Sequence, residues 1–177
     1  MNNKVIYLAA IIVLVVLGIW YFTREEKFVV TKTFVECVDQ GGTIMETYPR
    51  QCKAKNGLLF VEDIGDAVEK VDLIKVFSPS YKSSIKTPVT ITGEARGNWF
   101  FEASFPIEIK DNNGKVIGNG IAQAIGEWMT EDFVPFEAEI EFTSPGPNQS
   151  GTIVLHKDNP SGLPQNDDSL SVPIVFK

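Results

Sequence analysis

The sequence predicts an all-β domain, a two-layer sandwich of about seven strands, preceded by one transmembrane helix and a small disulfide-closed segment. Three observations support this fold class. Residues 5–22 form a nearly unbroken apolar run, and the two cysteines lie close together, at positions 37 and 52. After residue 73 apolar and polar residues alternate repeatedly, which is the period of β-strands. The predicted organisation is therefore an anchor over 1–27, a two-cysteine segment over 28–62, a linker over 63–72 and the sandwich over 73–177.

The composition excludes several classes of protein. The 177 residues include 16 Lys and Arg against 23 Asp and Glu, which gives a formal net charge of −7. Binding of nucleic acid needs clustered basic side chains, so this acidic chain is not expected to bind nucleic acid. A single long apolar run also excludes a transporter with several membrane spans.

The apolar run at 5–22 is interrupted only by Gly18. A helix of this length just crosses the hydrocarbon core, and Trp20, Tyr21 and Phe22 at its end favour the headgroup region. A cleaved signal peptide is the alternative, but no Ala-x-Ala site follows the run. A buried core helix would show a polar face, which this run lacks. We therefore expect an uncleaved anchor that attaches the chain to a bacterial cell membrane.

The segment with Cys37 and Cys52 is expected to form a small looped hairpin. Turn residues separate short β-like stretches at 43–45 and 58–61. A disulfide that closes a loop of about 15 residues stabilises such a unit by about 3 kcal/mol, and two free thiols are the alternative. An oxidised pair places the body outside the cytoplasm. The segment resembles a C…GG…YPRQC…G…F.E motif of bacterial exported proteins, and this resemblance implies export without a defined activity.

Individual strands of the body follow from the alternation of apolar and polar residues. In the stretch 101–110, Phe101, Ala103 and Phe105 are predicted to point inward with the two isoleucines that follow. In the stretch 136–142, apolar residues alternate with Glu137, Glu139 and Glu141, which predicts a buried inner face and an acidic outer face. Further strands are predicted at 74–76, 88–93, 115–125, 152–156 and 170–176.

About seven short strands over 73–177 fit an immunoglobulin-like β-sandwich. No cysteine follows Cys52, so the inter-sheet disulfide of antibody domains is excluded and packing must hold the core. Gly118 and Gly120 are predicted positions of a bulge or a close approach. The aromatic residues predicted to fill the core are Trp99, Phe100, Phe101, Phe105, Trp128, Phe133, Phe136 and Phe142.

Four short motifs of the body resemble a known family. They read GNWFFE at 97–102, GEWM at 126–129, FVPF at 133–136 and DNPSG at 158–162. As a set they resemble the immunoglobulin-like domain associated with bacterial spore-germination proteins, the Gmad family, over 73–177. The resemblance implies an exported binding or structural module at the cell envelope, with no known catalytic residue. A role in germination is not carried over.

Trp99 and Trp128 are candidate ligand-binding residues. If exposed, each would stack on the apolar face of a sugar beside Glu102 or Glu127, which makes a carbohydrate- or peptidoglycan-binding module the alternative function. The competing interpretation is that both tryptophans close the ends of the sandwich core. The two glutamates are not expected to form a glycosidase pair, because nothing in the sequence fixes their separation.

Oxygen-rich residues cluster near the end of the chain, at Asp158, Asn159, Asp167 and Asp168. Such a loop could bind a ligand or Ca²⁺, but the spacing differs from an EF-hand loop, and turn chemistry alone explains these residues. His156 is the single histidine, and no Gly-x-Ser-x-Gly elbow accompanies it. We therefore predict no metal, no cofactor and no enzymatic activity, and as partners the membrane and either a cell-wall glycan or another envelope protein.

Overall fold

The described part of the structure, which is a computed structural model, comprises Val13, Val15 and residues 31–177 without the side chain of Asp66. Residues Thr33–Lys177 form one compact unit. Within the described residues, no helix has the length and apolar character needed to cross a membrane. The anchor expected at 5–22 lies outside the described residues except for Val13 and Val15, and it stays a prediction.

The two-cysteine segment consists of one short helix and a three-stranded antiparallel sheet. Helix α1 (Phe34–Asp39) begins after Thr33, whose side-chain oxygen accepts a hydrogen bond from the backbone N–H of Glu36 at 3.2 Å. The sheet contains β1 (Thr43–Met45), β2 (Gln51–Lys53) and β3 (Leu59–Val61), with β2 in the middle.

A disulfide joins Cys37 of α1 to Cys52 of β2, which confirms the predicted pairing. Phe34 and Ala54 are buried around it. The β-like stretches predicted at 43–45 and 58–61 form β1 and β3, but the segment is a three-stranded sheet rather than a small looped hairpin, because β2, which contains Cys52, pairs with both neighbours. A strand of three residues is too short to show the alternation from which strands are predicted.

The acidic stretch at 63–72 contains a 3₁₀ helix, Gly65–Lys70. Ile64 and Ala67 are buried in the same apolar cluster as the sandwich core. Lys70 Nζ lies 2.5 Å from a carboxylate oxygen of Asp168, which is 98 residues further along the chain. This stretch therefore contributes directly to the packing of the body.

The body contains eight strands in one continuous sheet, so the predicted number of about seven was too low. The strand that alternation could not reveal is a two-residue strand that pairs in parallel with the last one. All other pairs are antiparallel. The strands are β4 (Ile74–Ser78), β5 (Ser84–Ile85), β6 (Val89–Arg96), β7 (Ser104–Asp111), β8 (Val116–Ala124), β9 (Phe133–Ile140), β10 (Ser150–His156) and β11 (Ser169–Phe176), in the order β4-β6-β9-β8-β7-β10-β11-β5.

The contact between β8 and β9 joins two parts of the sheet, β4-β6-β9 and β8-β7-β10-β11-β5, into an immunoglobulin-like sandwich. Gly118 makes their close approach possible: a Cβ atom there would lie 2.5 Å from Cβ of Phe142. Gly120 similarly faces Ile140, because a Cβ atom at position 120 would lie 2.9 Å from Cγ1 of Ile140. The predicted close approach at these glycines is confirmed, and any larger residue would push the two strands apart.

The inner faces of the strands supply one apolar core. Phe105 and Phe136 pack with ring centroids 4.9 Å apart, and Phe105 also contacts Phe100 at 5.2 Å. Phe142 contacts Phe176 at 5.5 Å. Aromatic packing of this kind replaces the inter-sheet disulfide of antibody domains.

The predicted strand at 101–110 begins three residues later than expected. Glu102 and Ala103 have φ values of 49° and 61°, and they form a tight turn closed by two backbone hydrogen bonds between Phe101 and Ser104. The turn moves Phe101 out of the core and leaves this residue 41% exposed. Trp128 and Phe133, also predicted as core residues, are only partly buried.

Candidate functional site

Arg50 connects the two-cysteine segment to the sandwich. Its Nε donates a hydrogen bond to Oε2 of Glu62 at 2.8 Å, and its Nη2 donates both to Oε1 of Glu62 and, at 2.8 Å, to Oγ of Ser80. The hydrogen bond to Glu62 raises the pKa of Arg50 above its ordinary value. Because the Glu62 side chain is only 11% exposed, water screens this pair less than a surface ion pair.

Tyr48 makes a second contact between the segment and the sandwich. Its ring meets the ring of Phe77 edge-on, with centroids 6.0 Å apart. Burial raises the pKa of the Tyr48 hydroxyl, although a hydrogen bond with the backbone of Val76 acts in the opposite direction. Tyr48 is therefore neutral at ordinary pH and acts as an anchoring side chain.

A cleft of about 490 Å³ lies between the segment and strand β4. Its volume falls within the range of about 300–1,000 Å³ that small-molecule sites occupy. The cleft combines aromatic rings, hydroxyl groups and charges from both sides of the junction. Its walls include Glu46, Tyr48 and Arg50 from the segment, and Lys75, Phe77 and Ser80 from the region of β4.

Most charges of the cleft are already paired. Lys75 Nζ donates a hydrogen bond to Oε1 of Glu94 at 2.7 Å and lies 3.8 Å from the ring centroid of Phe133. Glu46 differs, because among the described residues it makes no ion pair. Phe77 leaves half of its surface exposed beside it. The cleft therefore offers a carboxylate outside any ion pair of the described residues, whose charge helps to raise the pKa of Arg50, together with an apolar ring face.

The two tryptophans proposed from the sequence differ in position. Trp99 is 1% exposed and belongs to the sandwich core, so its ring offers no face to a sugar, and its proposed role as a binding platform is corrected. The reason is a 3₁₀ turn, Gly97–Trp99, that directs the ring inward. Trp128 is partly buried against the same core, and a binding role for it stays a prediction.

The oxygen-rich residues near the end of the chain bond mainly to their neighbours. Asn159 Nδ2 donates hydrogen bonds to Oδ1 of Asp167 at 2.7 Å and to the carbonyl of Leu163 at 2.9 Å. Asp168 pairs with Lys70, and the backbone N–H of Asp158 donates to the carbonyl of Trp99 at 3.0 Å. In the part of the chain that the structure describes, no three acidic, histidine or cysteine side chains are grouped to hold a metal.

His156 contacts a carboxylate on the outer face of the sheet. Its Nε2 lies 3.1 Å from Oε2 of Glu108, and Lys110 Nζ approaches the same oxygen to 2.8 Å. Lys110 chiefly, and His156 to a smaller extent, hold the pKa of Glu108 below its ordinary value. The lysine thus neutralises one glutamate of this face, and the histidine makes a hydrogen bond to the same carboxylate.

The residues that build the cleft were missed as a site in the sequence. Tyr48 and Arg50 belong to the YPRQC stretch, which indicated export but not what it contacts. Phe77 lies at an irregularity of β4, where the register shifts between Val76 and Ser78. Such a bulge changes the direction of a side chain that simple alternation would assign.

A sandwich with an apolar core, joined to a disulfide-closed segment, defines an immunoglobulin-like domain with a binding or structural role. The chain belongs to the Gmad2 family, the immunoglobulin-like domain of bacterial spore germination, which matches residues 73–163. This range covers just over half of the 177 residues and confirms the resemblance drawn from the motifs. No curated protein and no solved structure matches the chain.

Proposed function

We propose that this chain is a non-catalytic protein, anchored in the bacterial cell membrane, that presents an immunoglobulin-like binding or structural domain outside the cytoplasm. The disulfide between Cys37 and Cys52 carries the proposal, because disulfides persist in oxidising compartments. The apolar run at 5–22 supplies the tether in this proposal. The domain then acts at the cell envelope, close to the membrane.

Labelling of the full chain in intact cells tests this placement. We expect a maleimide that cannot cross membranes to label a Ser161→Cys variant in intact cells, because residue 161 lies in an exposed loop. The matched Asn2→Cys variant should be labelled only after permeabilisation, and the chain should resist extraction from membranes by carbonate. Labelling of the second variant but not the first in intact cells would contradict the external placement.

The amino-terminal residue of the mature chain separates an anchor from a cleaved signal. An anchor predicts an intact mass that includes residues 5–22, whereas cleavage predicts their loss. Recovery of a shorter, carbonate-extractable chain would overturn the tether but leave the external placement intact.

A second candidate function is binding of a cell-wall glycan, and the cleft favours it. The half-exposed ring of Phe77 offers an apolar face, and the carboxylate of Glu46, which makes no ion pair with a described residue, offers a hydrogen-bond acceptor in the same cleft. This position differs from the tryptophan platform predicted from the sequence. The cleft would accept one or two sugar units at its mouth.

Retention of the full chain on purified peptidoglycan tests the glycan site. We expect Phe77→Ala and Glu46→Gln each to weaken retention by about tenfold, the change that loss of one good contact causes. Phe101→Ala provides a matched control, because that ring is similarly exposed but lies outside the cleft. Equal retention of all variants would exclude the cleft, and loss only in Trp128→Ala would move the site to that tryptophan.

A further inference from the structure

The outer face of β8 presents apolar side chains to solvent. Ile121 is 50% exposed, and Ile125, just after the strand, is 57% exposed. Ile121 lies opposite Pro106 of β7, which is also exposed. The backbone N–H of Ile125 donates a hydrogen bond to the carbonyl of Pro135 in β9 at 2.8 Å, and this proline is exposed as well. These four apolar side chains lie on the outer face of three adjacent strands, with the exposed Gln123 between Ile121 and Ile125, and we call them the apolar strip.

A row of carboxylates borders the apolar strip on β9. Glu137 lies opposite Gln123, and the same register places Glu139 beside Ile121. Both glutamates are exposed, and neither makes an ion pair with any described residue. The outward positions of β8 and β9 carry no lysine or arginine between Asn119 and Ile125 or between Pro135 and Glu141.

The unpaired row contrasts with the rest of the same outer surface. Glu94 of β6 is paired with Lys75, and Glu108 of β7 is paired with Lys110. On both sides of the strip, therefore, a cation of the chain itself neutralises the carboxylate. Beside the strip, by contrast, Glu137 and Glu139 have no ion pair with a described residue.

We infer that the apolar strip and the bordering Glu137 and Glu139 form a docking surface for a protein segment with an apolar centre and basic flanks. The inference rests on the proposed non-catalytic binding role and adds the surface and the chemistry of the partner. Apolar side chains of the partner cover Ile121 and Ile125, while its lysines or arginines meet the two carboxylates. Such a partner covers the apolar strip and also neutralises the two carboxylates. Protein interfaces commonly combine an apolar centre with complementary charges at the rim.

Charge decides against other occupants of this surface. A second copy of the chain, facing the same surface, would place two rows of carboxylates against each other, which is repulsive. Anionic lipid headgroups and nucleic acid would meet the same repulsion. A basic protein segment is the occupant whose charge matches.

Fluorescence anisotropy with the full chain in phosphatidylcholine nanodiscs tests the surface. The probe is a short synthetic peptide with isoleucines at its centre and lysines on both sides. Two comparison peptides replace the lysines by glutamates or the isoleucines by serines. We expect binding of the first peptide only, weakened by added salt because part of the attraction is electrostatic.

Variants of the chain assign the binding to the surface. We expect the double variants Ile121→Ser with Ile125→Ser, and Glu137→Gln with Glu139→Gln, each to raise the Kd by about tenfold or more. The matched control is Leu59→Ser with Val61→Ser on β3, where the side chains are equally exposed but lie in the other sheet. The control should bind like the unchanged chain.

Four results would overturn the inference. They are equal binding by both surface variants and the unchanged chain, equal binding of the serine peptide, self-association that Ile121→Ser abolishes, and binding of phosphatidylglycerol vesicles through the strip. Because the assay uses purified protein, failure here leaves the membrane placement untouched. Failure of the labelling experiment in cells likewise leaves the peptide result standing.

Discussion

The two-cysteine segment and the sandwich are stabilised by different means. The segment buries four residues, two of which are the cysteines of the disulfide, whereas twenty-four buried residues form the core of the sandwich. Four buried side chains cannot offset the loss of conformational entropy on ordering the segment, so the cross-link and the contacts of Arg50 must contribute. The sandwich is stabilised mainly by the packing of its core. The two regions should therefore respond to different perturbations.

A cavity in the sandwich core is expected to have the largest effect. Phe136 is 1% exposed and packs against Phe105, so Phe136→Ala should lower the free energy of unfolding by about 3–5 kcal/mol. Chemical denaturation followed by tryptophan fluorescence measures the change. The control Phe101→Ala removes an exposed ring and should cost less than about 1 kcal/mol. Similar losses of unfolding free energy in both variants would contradict the position of Phe136 in the core and of Phe101 outside it.

Removal of the disulfide should separate the two regions. The double variant Cys37→Ser with Cys52→Ser is expected to destabilise the segment by about 2–4 kcal/mol, because the cross-link no longer restricts the unfolded segment. Hydrogen exchange should become faster for the amides of β1–β3 while those of β7 and β10 stay protected. A global loss of protection would mean that the sandwich depends on the segment and would contradict independent stabilisation.

The sequence predicted the sandwich well because its strands are long enough to alternate. The inner residues of β9 are buried and its glutamates are exposed, as the alternation indicated. Prediction failed where local backbone geometry overrides the period. The Glu102–Ala103 turn moved Phe101 outward, and the two-residue β5 has no period to read.

The cleft at the junction could not be predicted in the same way. Arg50 and Ser80 are thirty residues apart, and their hydrogen bond depends on how the segment lies against the sandwich. Phe77 is exposed because the register of β4 shifts beside it. Alternation within one strand carries no information on either feature, since both arise from contacts between distant parts of the chain.

The Arg50 contact provides a test of how the two regions are joined. Arg50→Ala should leave the mostly buried Glu62 without its partner, and we expect a loss of about 1–2 kcal/mol in the stability of the segment. Arg50→Lys keeps the charge but cannot make both hydrogen bonds to Glu62 while also reaching Ser80. Hydrogen exchange in β2 and β3 measures the loss. If Arg50→Lys shows the same exchange rates as the unchanged chain, the charge pair with Glu62 is sufficient, and neither the forked geometry nor the hydrogen bond to Ser80 contributes.

The smallest effect is expected at Glu108, where pH rather than packing is the perturbation. Lys110 holds the folded-state pKa of Glu108 below its ordinary value of 4.5. The ionised Glu108 therefore stabilises the folded chain above pH 4.5, and this contribution is lost as the pH falls through the lowered pKa. The side chain is about one-third exposed, so solvent screening reduces the contribution to a few tenths of a kcal/mol. NMR titration of the Glu108 carboxyl carbon reads the lowered pKa directly.

Unfolding measured from pH 7 to pH 3 should be slightly less pH-dependent in Glu108→Gln than in the unchanged chain, because the variant has no carboxyl group to protonate. Glu137→Gln is the matched control: it is exposed on the same outer surface but makes no ion pair with a described residue, so its removal should leave the acid dependence nearly as it is. If the two variants change the acid dependence equally, Lys110 and His156 give Glu108 no special role. The sandwich would then owe its stability to its core alone, in sharper contrast with the segment that Arg50 and the disulfide hold.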